Sequence, residues 1–373
     1  MVAGFLLTAC QGAVTGGATQ PPQPTQPGQP DWQQKWDATV AAAKKEGTVS
    51  IYALWTPEVR NALTQAFKEK YGIGLEFTPF SRGSDLLAKV QAEQRAGLYN
   101  ADVFGAGNPT LLTVMKPENV LGSLKPMLIL PEVLDGKGWR AGQVPYTDDL
   151  GDALSLIGVT VRTIAYNTEQ VKKGDITSYT DLLKPQYKGK ITMNDPSVTG
   201  AGNAVMSHLS DAVWDQARAA DFLTRLIKDQ QLSIERDNRI QMENVARGKY
   251  AIALAPLPDE VARLKALGAL VDYAIVPEDN RITAGAGAIG VPSKLGHPNA
   301  AVVFVNWLLT KDGQTVFAKT WGNPSTRADV SVEGIDPLLV PVPGQKYFAE
   351  AESALISRGK WLELAAKIMQ QNQ

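Results

Sequence analysis

The sequence has almost none of the residues from which disulfides, zinc sites and thiol catalysis are built. Its 373 residues include one cysteine, Cys10, and two histidines, His208 and His297. A single cysteine cannot form an internal disulfide, and structural zinc sites take their ligands mainly from cysteine and histidine. We therefore exclude a disulfide framework, and we expect neither a zinc cluster nor a Cys-His catalytic pair.

Three further features are missing, and each argues against a class of function. No apolar run approaches the ~18 residues that a membrane span requires. Lys plus Arg (37) balances Asp plus Glu (38), which argues against nucleic acid as a partner. No G-x-S-x-G, H-E-x-x-H or Walker sequence is present, so nothing marks a catalytic nucleophile or base. Gly285-Ala-Gly-Ala-Ile-Gly290 matches G-x-G-x-x-G, but Val-Pro-Ser follows it where a nucleotide site needs a helix, so we reject it as a nucleotide site. We expect a binding protein rather than an enzyme, and a secreted carboxylate-based hydrolase is the alternative class.

The first ten residues predict a lipid anchor. Residues 1–10 are apolar and end in Leu7-Thr8-Ala9-Cys10, which resembles the lipobox of bacterial lipoproteins, where the cysteine is lipidated. The basic segment that opens a signal peptide is missing, so we expect the natural start to lie upstream of Met1. Residues 11–31 are dominated by Gln, Pro, Gly and Thr and predict a semi-extended tether. The expected location is extracytoplasmic, with the lipid at Cys10 as the only attachment to the cell membrane.

Strand-turn-helix units recur along the chain and predict an α/β fold. Short apolar strands that end near Ala53, Phe77, Phe104 and Met193 are each followed by a polar or glycine-containing turn and then by a helix. Such units build parallel sheets covered by helices. In open sheets of this kind, ligands bind beyond the carboxyl ends of the strands, where the turns gather.

The units fall into two groups, which predict two lobes. The chain crosses between them near residues 158–167 and again near residues 284–291, a stretch rich in glycine. Lobes joined by such hinge strands close around a ligand. The predicted N-lobe consists of residues 32–163 plus 284–320, and the predicted C-lobe of residues 164–283 plus 321–373.

The turns that follow the strands supply the candidate ligand-binding residues. The first backbone N–H groups of a helix have no intrahelical partner and attract anions, and a nearby arginine can donate two parallel hydrogen bonds to a carboxylate. Arg82 and Arg239 are the expected charge partners, and Trp55 and Tyr166 are the expected apolar walls. The predicted set is Trp55, Thr56, Ser81, Arg82, Gly107, Asn108, Tyr166, Thr199, Gly200, Ala201, Asn238 and Arg239.

Several segments, taken in order, resemble one protein family. They are Ala165-Tyr-Asn-Thr168, Lys188-Gly-Lys-Ile191 leading to Asp195-Pro196 and Thr199-Gly200, Arg247-Gly-Lys-Tyr-Ala-Ile-Ala-Leu254, Lys311-Asp-Gly-Gln314, and Asn323-Pro324. Together they resemble the extracellular solute-binding proteins of ABC importers, in the broad group that includes the ferric-iron binding proteins. The resemblance implies a type II periplasmic-binding-protein fold and a small-molecule solute. It also implies a membrane permease with its ATPase subunits as partners. We expect a monomer without a cofactor.

The same resemblance bears on what is bound. Ferric-binding members of that group hold the metal through two adjacent tyrosines after the strand that corresponds to Tyr250–Leu254. Here that place reads Ala255-Pro-Leu-Pro258, and no two tyrosines are adjacent anywhere in the chain. We therefore predict a small anionic solute, such as a carboxylate or phosphonate, rather than a bare metal ion. Ferric iron or an iron chelate is the alternative.

Overall fold

The computed structural model describes Met1 and residues 31–198, 200–342 and 344–372. The predicted lipid site Cys10, the predicted tether up to residue 30, and Thr199 lie outside the described residues. No helix in the described ranges combines the length and the apolar character needed to cross a bilayer. The α-helices are α1 (Asp31–Glu46), α2 (Pro57–Tyr71), α3 (Gly83–Arg95), α4 (Pro131–Leu134), α5 (Ala201–His208), α6 (Gln216–Lys228), α7 (Asn238–Ala246), α8 (Pro258–Ala266), α9 (Pro298–Leu309), α10 (Lys311–Trp321) and α11 (Glu352–Asn372).

The strands form three sheets. In chain order they are β1 (Thr48–Ala53), β2 (Gly74–Pro79), β3 (Val103–Ala106), β4 (Leu121–Gly122), β5 (Leu154–Ser155), β6 (Val159–Thr160), β7 (Ile164–Asn167), β8 (Ile191–Asn194), β9 (Ser233–Glu235), β10 (Ile252–Leu254), β11 (Val271–Tyr273), β12 (Arg281–Thr283), β13 (Ala288–Pro292) and β14 (Phe348–Ala349). The first sheet has the order β2-β1-β3-β13-β4, with β5 paired to β13. The second has the order β11-β7-β10-β8-β9, and the third the order β14-β12-β6.

Each of the two large sheets is the centre of one lobe. In the first, β1 runs parallel to β2 and β3, and β13 returns antiparallel to β3. In the second, β8 runs parallel to β10 and β9, while β7 is antiparallel to β10. The carboxyl ends of the parallel strands in each lobe therefore lie along one edge of its sheet, which is where ligands bind in open α/β sheets. The predicted two-lobed α/β fold is confirmed.

Helix α2 illustrates how local sequence positions the first lobe. Pro57 occupies its first turn, and Gly72 ends it in a left-handed conformation with φ of 74°. Its fully buried residues Val59, Leu63 and Phe67 follow one another at four-residue intervals, so they share one face of the helix. That face packs against the core that α9 and α10 complete. The sequence predicts both ends of this helix, with Pro57 at its first position and Gly72 as its stop, and the structure confirms them.

The third sheet lies at the crossing between the lobes, and β6 and β12 are the two crossing strands. They pair antiparallel, and β14 from the C-terminal part of the chain pairs with β12. Helix α11 then contacts both lobes. Near its start, Glu352 forms an ion pair with Lys116 at 2.9 Å, and Leu355 packs in a first-lobe cluster. Farther along, Trp361 and Ile368 pack in the second-lobe core.

The structure departs from the sequence-based expectations in two elements. The helical spacing of Val205, Met206 and Leu209 predicts a long helix that starts after Thr199-Gly200 and runs to about Gln230. In the structure this helix ends at His208, continues as a π-helical turn over Leu209–Val213, and is followed by the separate α6. The sequence also predicts a final helix from Tyr347. In the structure this helix begins at Glu352, because Phe348 and Ala349 pair with β12 instead. In addition, Arg327 packs on Trp139 in the first lobe, although the predicted boundary placed residues from 321 onward in the C-lobe.

Candidate ligand-binding site

The first-lobe turns meet at the carboxyl edge of the first sheet. A Cβ on Gly83, where α3 begins, would come within 2.4 Å of Thr110, so the turn after β2 lies against the helical turn that follows β3. A Cβ on Gly107 would come within 2.5 Å of the Gly285 carbonyl oxygen. Glycine at these positions therefore allows the strand-end turns to approach each other and the second crossing segment closely.

The polar residues predicted in these turns differ in exposure. Thr56 and Ser81 are exposed, and Thr56 precedes α2 without a side-chain cap bond. The Arg82 side chain is 76% exposed, and its Nε donates to Asp85 Oδ2 at 3.1 Å within the same helical turn. Asn108 is buried. The predicted donors Thr56, Ser81 and Arg82 thus face solvent at this edge of the first lobe.

The two aromatic residues predicted as apolar walls lie in the cores instead. Trp55 is 3% exposed, packs edge-on against Phe317 with ring centroids 5.0 Å apart, and donates its Nε1 hydrogen to the Ala286 carbonyl oxygen. Tyr166 is equally buried in the second-lobe core, and burial raises the pKa of its hydroxyl. Position at a strand end does not fix the direction of a side chain. The expectation that these rings face a ligand is therefore corrected.

In the second lobe, Asn194 holds two helix N-termini together. Its Oδ1 accepts a hydrogen bond from the Gly202 backbone N–H at 3.2 Å, in the first turn of α5. Its Nδ2 donates to Asn238 Oδ1 at 2.9 Å, at the start of α7. A Cβ on Gly202 would come within 2.0 Å of the Asn194 carbonyl oxygen, so α5 begins directly against β8. The predicted residues Gly200, Ala201 and Asn238 therefore come together at one edge.

Two arginines lie beside these helix starts. Arg239 is 65% exposed and pairs with Glu243 one turn along α7, at 3.0 Å. Arg236, which was not among the predicted residues, is 78% exposed and pairs with the buried Asp195 carboxylate at 2.9 Å. Burial alone would raise the pKa of Asp195, but hydrogen bonds from Ser197 and the Arg236 charge outweigh it and lower that pKa. Both guanidinium groups remain open to solvent on one side.

Three exposed apolar side chains that no local sequence pattern marks lie at the same strand-end edge of the second lobe. Val198 follows β8, Ile240 is in the first turn of α7, and Leu257 follows β10; they are 42%, 48% and 39% exposed. The parallel pairing of β8 and β10 puts their carboxyl ends side by side. Isolated exposed apolar residues are ordinary, but three at one edge are a candidate surface for the apolar part of a ligand. Only their tertiary grouping distinguishes them.

The predicted residues thus form two separate sets, one on each lobe. No hydrogen bond or ion pair within the described ranges links the first-lobe turns directly to the second-lobe turns. Thr199, predicted between them, lies outside the described residues. The two sets remain a proposal for a shared site.

A cavity of about 510 Å³ lies beside the crossing, and it includes one predicted residue, Asn108. First-lobe turns, both crossing segments and the C-terminal segment contribute to its wall. The lining residues are Asn108, Arg140, Ala141, Gln143, Pro145, Tyr146, Thr147, Ser155, Ile157, Gly158, Ile282, Ala284, Thr326, Ala328, Pro341, Val342, Gly344, Gln345, Tyr347 and Glu350.

The polar part of this wall is built on the first sheet. In the register of the sheet, Ser155 lies opposite Ala288 of β13, which in turn lies opposite Ala106 of β3. Asn108, two residues after β3, therefore reaches Ser155, and its Nδ2 donates to Ser155 Oγ at 3.0 Å. The Thr147 hydroxyl donates to Asn108 Oδ1 at 3.1 Å. These bonds hold the buried amide in one orientation.

The metal-ligating side chains of the described residues are dispersed. Across residues 31–198, 200–342 and 344–372, His, Cys, Asp and Glu side chains form no group of three or more that could hold a metal ion. His208 bonds to Glu278 and Asn280, and His297 bonds to Asp102. The histidines are therefore engaged in protein contacts.

The family follows from comparison with known sequences. The sequence profile of the bacterial extracellular solute-binding proteins matches residues 62–336, which is most of the chain. The chain belongs to this family. The predicted family is thereby confirmed, and the two lobes described above are those of an extracellular solute-binding protein.

Individual relatives of this solute-binding protein differ in what their names say they bind. Spermidine/putrescine-binding periplasmic protein 1 of Haemophilus influenzae is 28% identical over 168 residues, which are 44% of this chain and 44% of that protein. The chain thus matches less than half the length of this curated relative.

Solved structures show that the fold is the type II periplasmic-binding-protein fold. The Trichodesmium protein IdiA (FutA) in complex with iron and citrate is 18% identical, with a TM-score of 0.66, over 87% of this chain and 99% of that one. AfuA of Actinobacillus pleuropneumoniae with bound fructose-6-phosphate is 20% identical, with a TM-score of 0.59, over 87% and 99%. At these identities the likeness establishes the fold, and the bound molecules are those of the other proteins.

Proposed function

We propose that this chain is the solute-binding component of an ABC importer and that it captures a small anionic solute between its two lobes for delivery to a membrane permease. The single observation that carries the anionic class is the second-lobe edge, where Asn194 joins the N-termini of α5 and α7 beside Arg236 and Arg239. Helix N-termini and arginines both stabilise negative charge.

The exposed apolar trio of Val198, Ile240 and Leu257 adds a second property to the same edge. A bare inorganic ion gains nothing from apolar contact, whereas an organic anion buries its carbon skeleton there. Arg82, Thr56 and Ser81 on the first lobe supply donors from the opposite side when the lobes close. We therefore propose a carboxylate- or phosphonate-like organic solute.

A second candidate is an iron chelate. It is supported by the likeness to a protein whose structure contains iron and citrate together, since citrate is itself a carboxylate. If the solute is an iron chelate, the second-lobe edge binds the chelating anion, and the protein does not need its own cluster of metal ligands.

Thermal unfolding with a panel of solutes tests this function. Phosphate, citrate, fructose-6-phosphate, ferric citrate, ferric ion alone and spermidine are added to the purified chain, and hits are measured by calorimetry. A ligand at 100 times its Kd stabilises the folded state by about 2.7 kcal/mol and raises Tm accordingly. We expect binding within the anionic set and none of spermidine. Tight binding of spermidine, or of ferric ion without any anion, would contradict the proposal.

We further propose that Cys10 is lipidated and that the segment behind it tethers the lobes to the cell surface near their permease. The proposal is supported by Leu7-Thr8-Ala9-Cys10 and by the uncharged Pro- and Gln-rich stretch that follows. A gene product expressed with its natural start should be labelled by a fatty-acid probe. Labelling that persists in Cys10→Ala would argue against it.

A further inference from the structure

The polar wall of the cavity beside the crossing offers hydrogen-bond donors. Thr147 gives its hydroxyl proton to Asn108 Oδ1, and Asn108 Nδ2 gives one of its two protons to Ser155 Oγ. One N–H of Asn108 and the O–H of Ser155 remain, because the contact between Ser155 Oγ and Thr147 Oγ1 is long, at 3.4 Å. The wall therefore suits a ligand that brings acceptors.

The charge balance of the cavity points the same way. The lining contains one cation and one carboxylate, Arg140 and Glu350. The Glu350 oxygens are already taken, since Oε1 accepts from Arg358 at 2.6 Å and Oε2 from Thr283 at 2.9 Å. Arg140 donates only its Nε, to the Ser325 carbonyl oxygen at 2.9 Å, and within the described ranges no carboxylate lies within 4.0 Å of its guanidinium.

The environment of Arg140 makes an anionic partner favourable. The residue lies at the solvent-exposed mouth of the cavity, and partial burial of the guanidinium lowers its pKa. A lowered pKa means that the charged form has lost hydration without gaining an equal interaction. A carboxylate can accept two parallel hydrogen bonds from the free Nη groups and restore that interaction.

Part of the remaining wall is apolar, and the volume is that of an organic ligand. Pro145, Ile157, Ile282, Ala284 and Val342 line the cavity. At about 510 Å³ it falls within the range of ~300–1,000 Å³ found for small-molecule sites. A phosphate or metal ion would leave most of this space unfilled, whereas a carbon skeleton would occupy it.

We propose that this cavity is the seat of the solute and that the solute is a small carboxylate with an apolar body. Its carboxylate binds Arg140 and Ser155, and its body packs between Ile157 and Ile282. This inference rests on the proposed function for the anionic class of the solute. It places the solute in this cavity, which the first lobe, the crossing and the C-terminal segment line, instead of at the second-lobe edge.

Calorimetry with matched ligand pairs tests the inference. Straight-chain carboxylates from acetate to octanoate and phenyl-substituted carboxylates are titrated into the purified protein, and the uncharged amide of each is titrated for comparison. We expect the longer carboxylates to bind and their amides, as well as acetate, to bind at least tenfold more weakly. Arg140→Ala should weaken carboxylate binding at least tenfold, and Arg140→Lys less. Arg95→Ala removes an exposed arginine of α3 outside the cavity and should leave the affinity unchanged.

A filling variant tests the position independently of charge. Ala141 lines the cavity from an exposed position, so Ala141→Phe adds bulk there without disturbing the core. We expect it to reduce binding of the longest carboxylates at least tenfold while the unfolding curve stays unchanged.

The outcomes separate this inference from the proposed function. If carboxylates bind and only the double variant Arg82→Ala, Arg239→Ala weakens them, the cavity is not the seat, and the function stands. If phosphate or sugar phosphate binds and no carboxylate does, the chemical class is wrong. If no anion of either panel binds, the proposed function itself fails.

Discussion

An aromatic cluster in the first lobe and a polar cluster in the second lobe should respond differently to pH. The first-lobe core is centred on aromatic rings, in which Phe67 contacts Phe304 and Trp307 with ring centroids 5.4 and 5.1 Å away. The second lobe has rings in contact as well, such as Tyr179 and Phe222, but where it meets the crossing it adds a polar cluster. In this cluster Asp279 is 1% exposed, and the half-buried His208 bonds to Glu278 and Asn280, the chain neighbours of Asp279. Rings stabilise at every pH, whereas buried ionisable groups make stability depend on pH.

In this polar cluster the pKa values of Asp279 and His208 are shifted in opposite directions. Asp279 accepts hydrogen bonds from the Thr163 N–H and hydroxyl at 2.9 and 2.5 Å and from the Tyr179 hydroxyl at 3.1 Å. Burial nevertheless raises the pKa of Asp279 to about 6, against these bonds and the nearby Arg162. His208 Nε2 bonds to the Glu278 carbonyl oxygen and Asn280 Oδ1, the neighbours of Asp279 on either side.

Burial, with the Arg281 charge as the second cause, lowers the pKa of His208 to about 4; these two causes outweigh both hydrogen bonds and Asp211. The two groups therefore deviate in opposite directions. Between about pH 4 and 6 the folded protein holds an extra proton on Asp279 and lacks one on His208. Their contributions to the pH dependence of stability nearly cancel.

The largest effect is expected in the aromatic core. Phe67→Ala removes a fully buried ring that touches three others and leaves a cavity, which costs roughly 3–5 kcal/mol in the free energy of unfolding. Because no ionisable group is removed, the loss should be the same at pH 4, 5, 6 and 7. Urea unfolding at these four pH values measures it. A loss that changes by more than about 1 kcal/mol over this range would break the contrast between the lobes.

The next largest effect is expected in the pH dependence of stability, which single substitutions of Asp279 and His208 separate into two contributions. Asp279→Asn leaves His208, whose lowered pKa makes the unfolded state bind more protons, so stability should rise with pH from about 4 to 6.5. His208→Gln leaves Asp279, whose raised pKa makes the folded state bind more protons, so stability should fall from about pH 4 to 6. At 1.36 kcal/mol for each pKa unit, the free energy of unfolding should change by roughly 3 kcal/mol over the range in each case.

The quantity compared is the stability of each variant minus that of the unmodified protein at each pH, which isolates the contribution of the group that was replaced. This difference should rise with pH for Asp279→Asn and fall with pH for His208→Gln. Phe67→Ala is the matched control, since its difference should be flat. Slopes of the same sign in both variants would mean that the two groups do not oppose each other.

Local sequence signals accounted for much of the fold. Pro57 and Gly72 bounded α2 because each acts through its own backbone conformation, which needs no distant partner. The start of α11 could not be predicted from local sequence. Phe348 pairs with Arg281, some seventy residues earlier in the chain, and that pairing takes the segment out of the helix.

The candidate site was predicted less completely, for the same physical reason. Gly200, Ala201, Asn238 and Arg239 follow strand ends, and parallel pairing brings such positions to one edge. Trp55 satisfied the same rule, but its ring turned inward onto Phe317, because core packing decides direction. The cavity is harder still to predict, since its wall joins six separate segments of the chain. No local pattern relates Asn108 to Arg140 or Glu350.

The smallest effect concerns the turn arginines of the two lobes. Arg82 pairs with Asp85 three residues on, Arg239 pairs with Glu243 four residues on, and both guanidinium groups are mostly exposed. Exposed pairs of this kind contribute little to stability, because solvent screens the attraction and the side chains lose freedom. Arg82→Gln and Arg239→Gln should each lower the free energy of unfolding only slightly, in both lobes alike.

Arg236→Gln sharpens this last comparison, because the partner of Arg236 is buried. Asp195 would lose its only ion-pair partner among the described residues while keeping the hydrogen bonds of Ser197, so the loss should exceed that of the other two arginines. Urea unfolding of the three single variants at pH 7 ranks them. If Arg82 or Arg239 proved as costly as Arg236, those side chains would be structural supports of their helices. Near-zero costs would leave anion recognition as the property that distinguishes them at the strand-end edges.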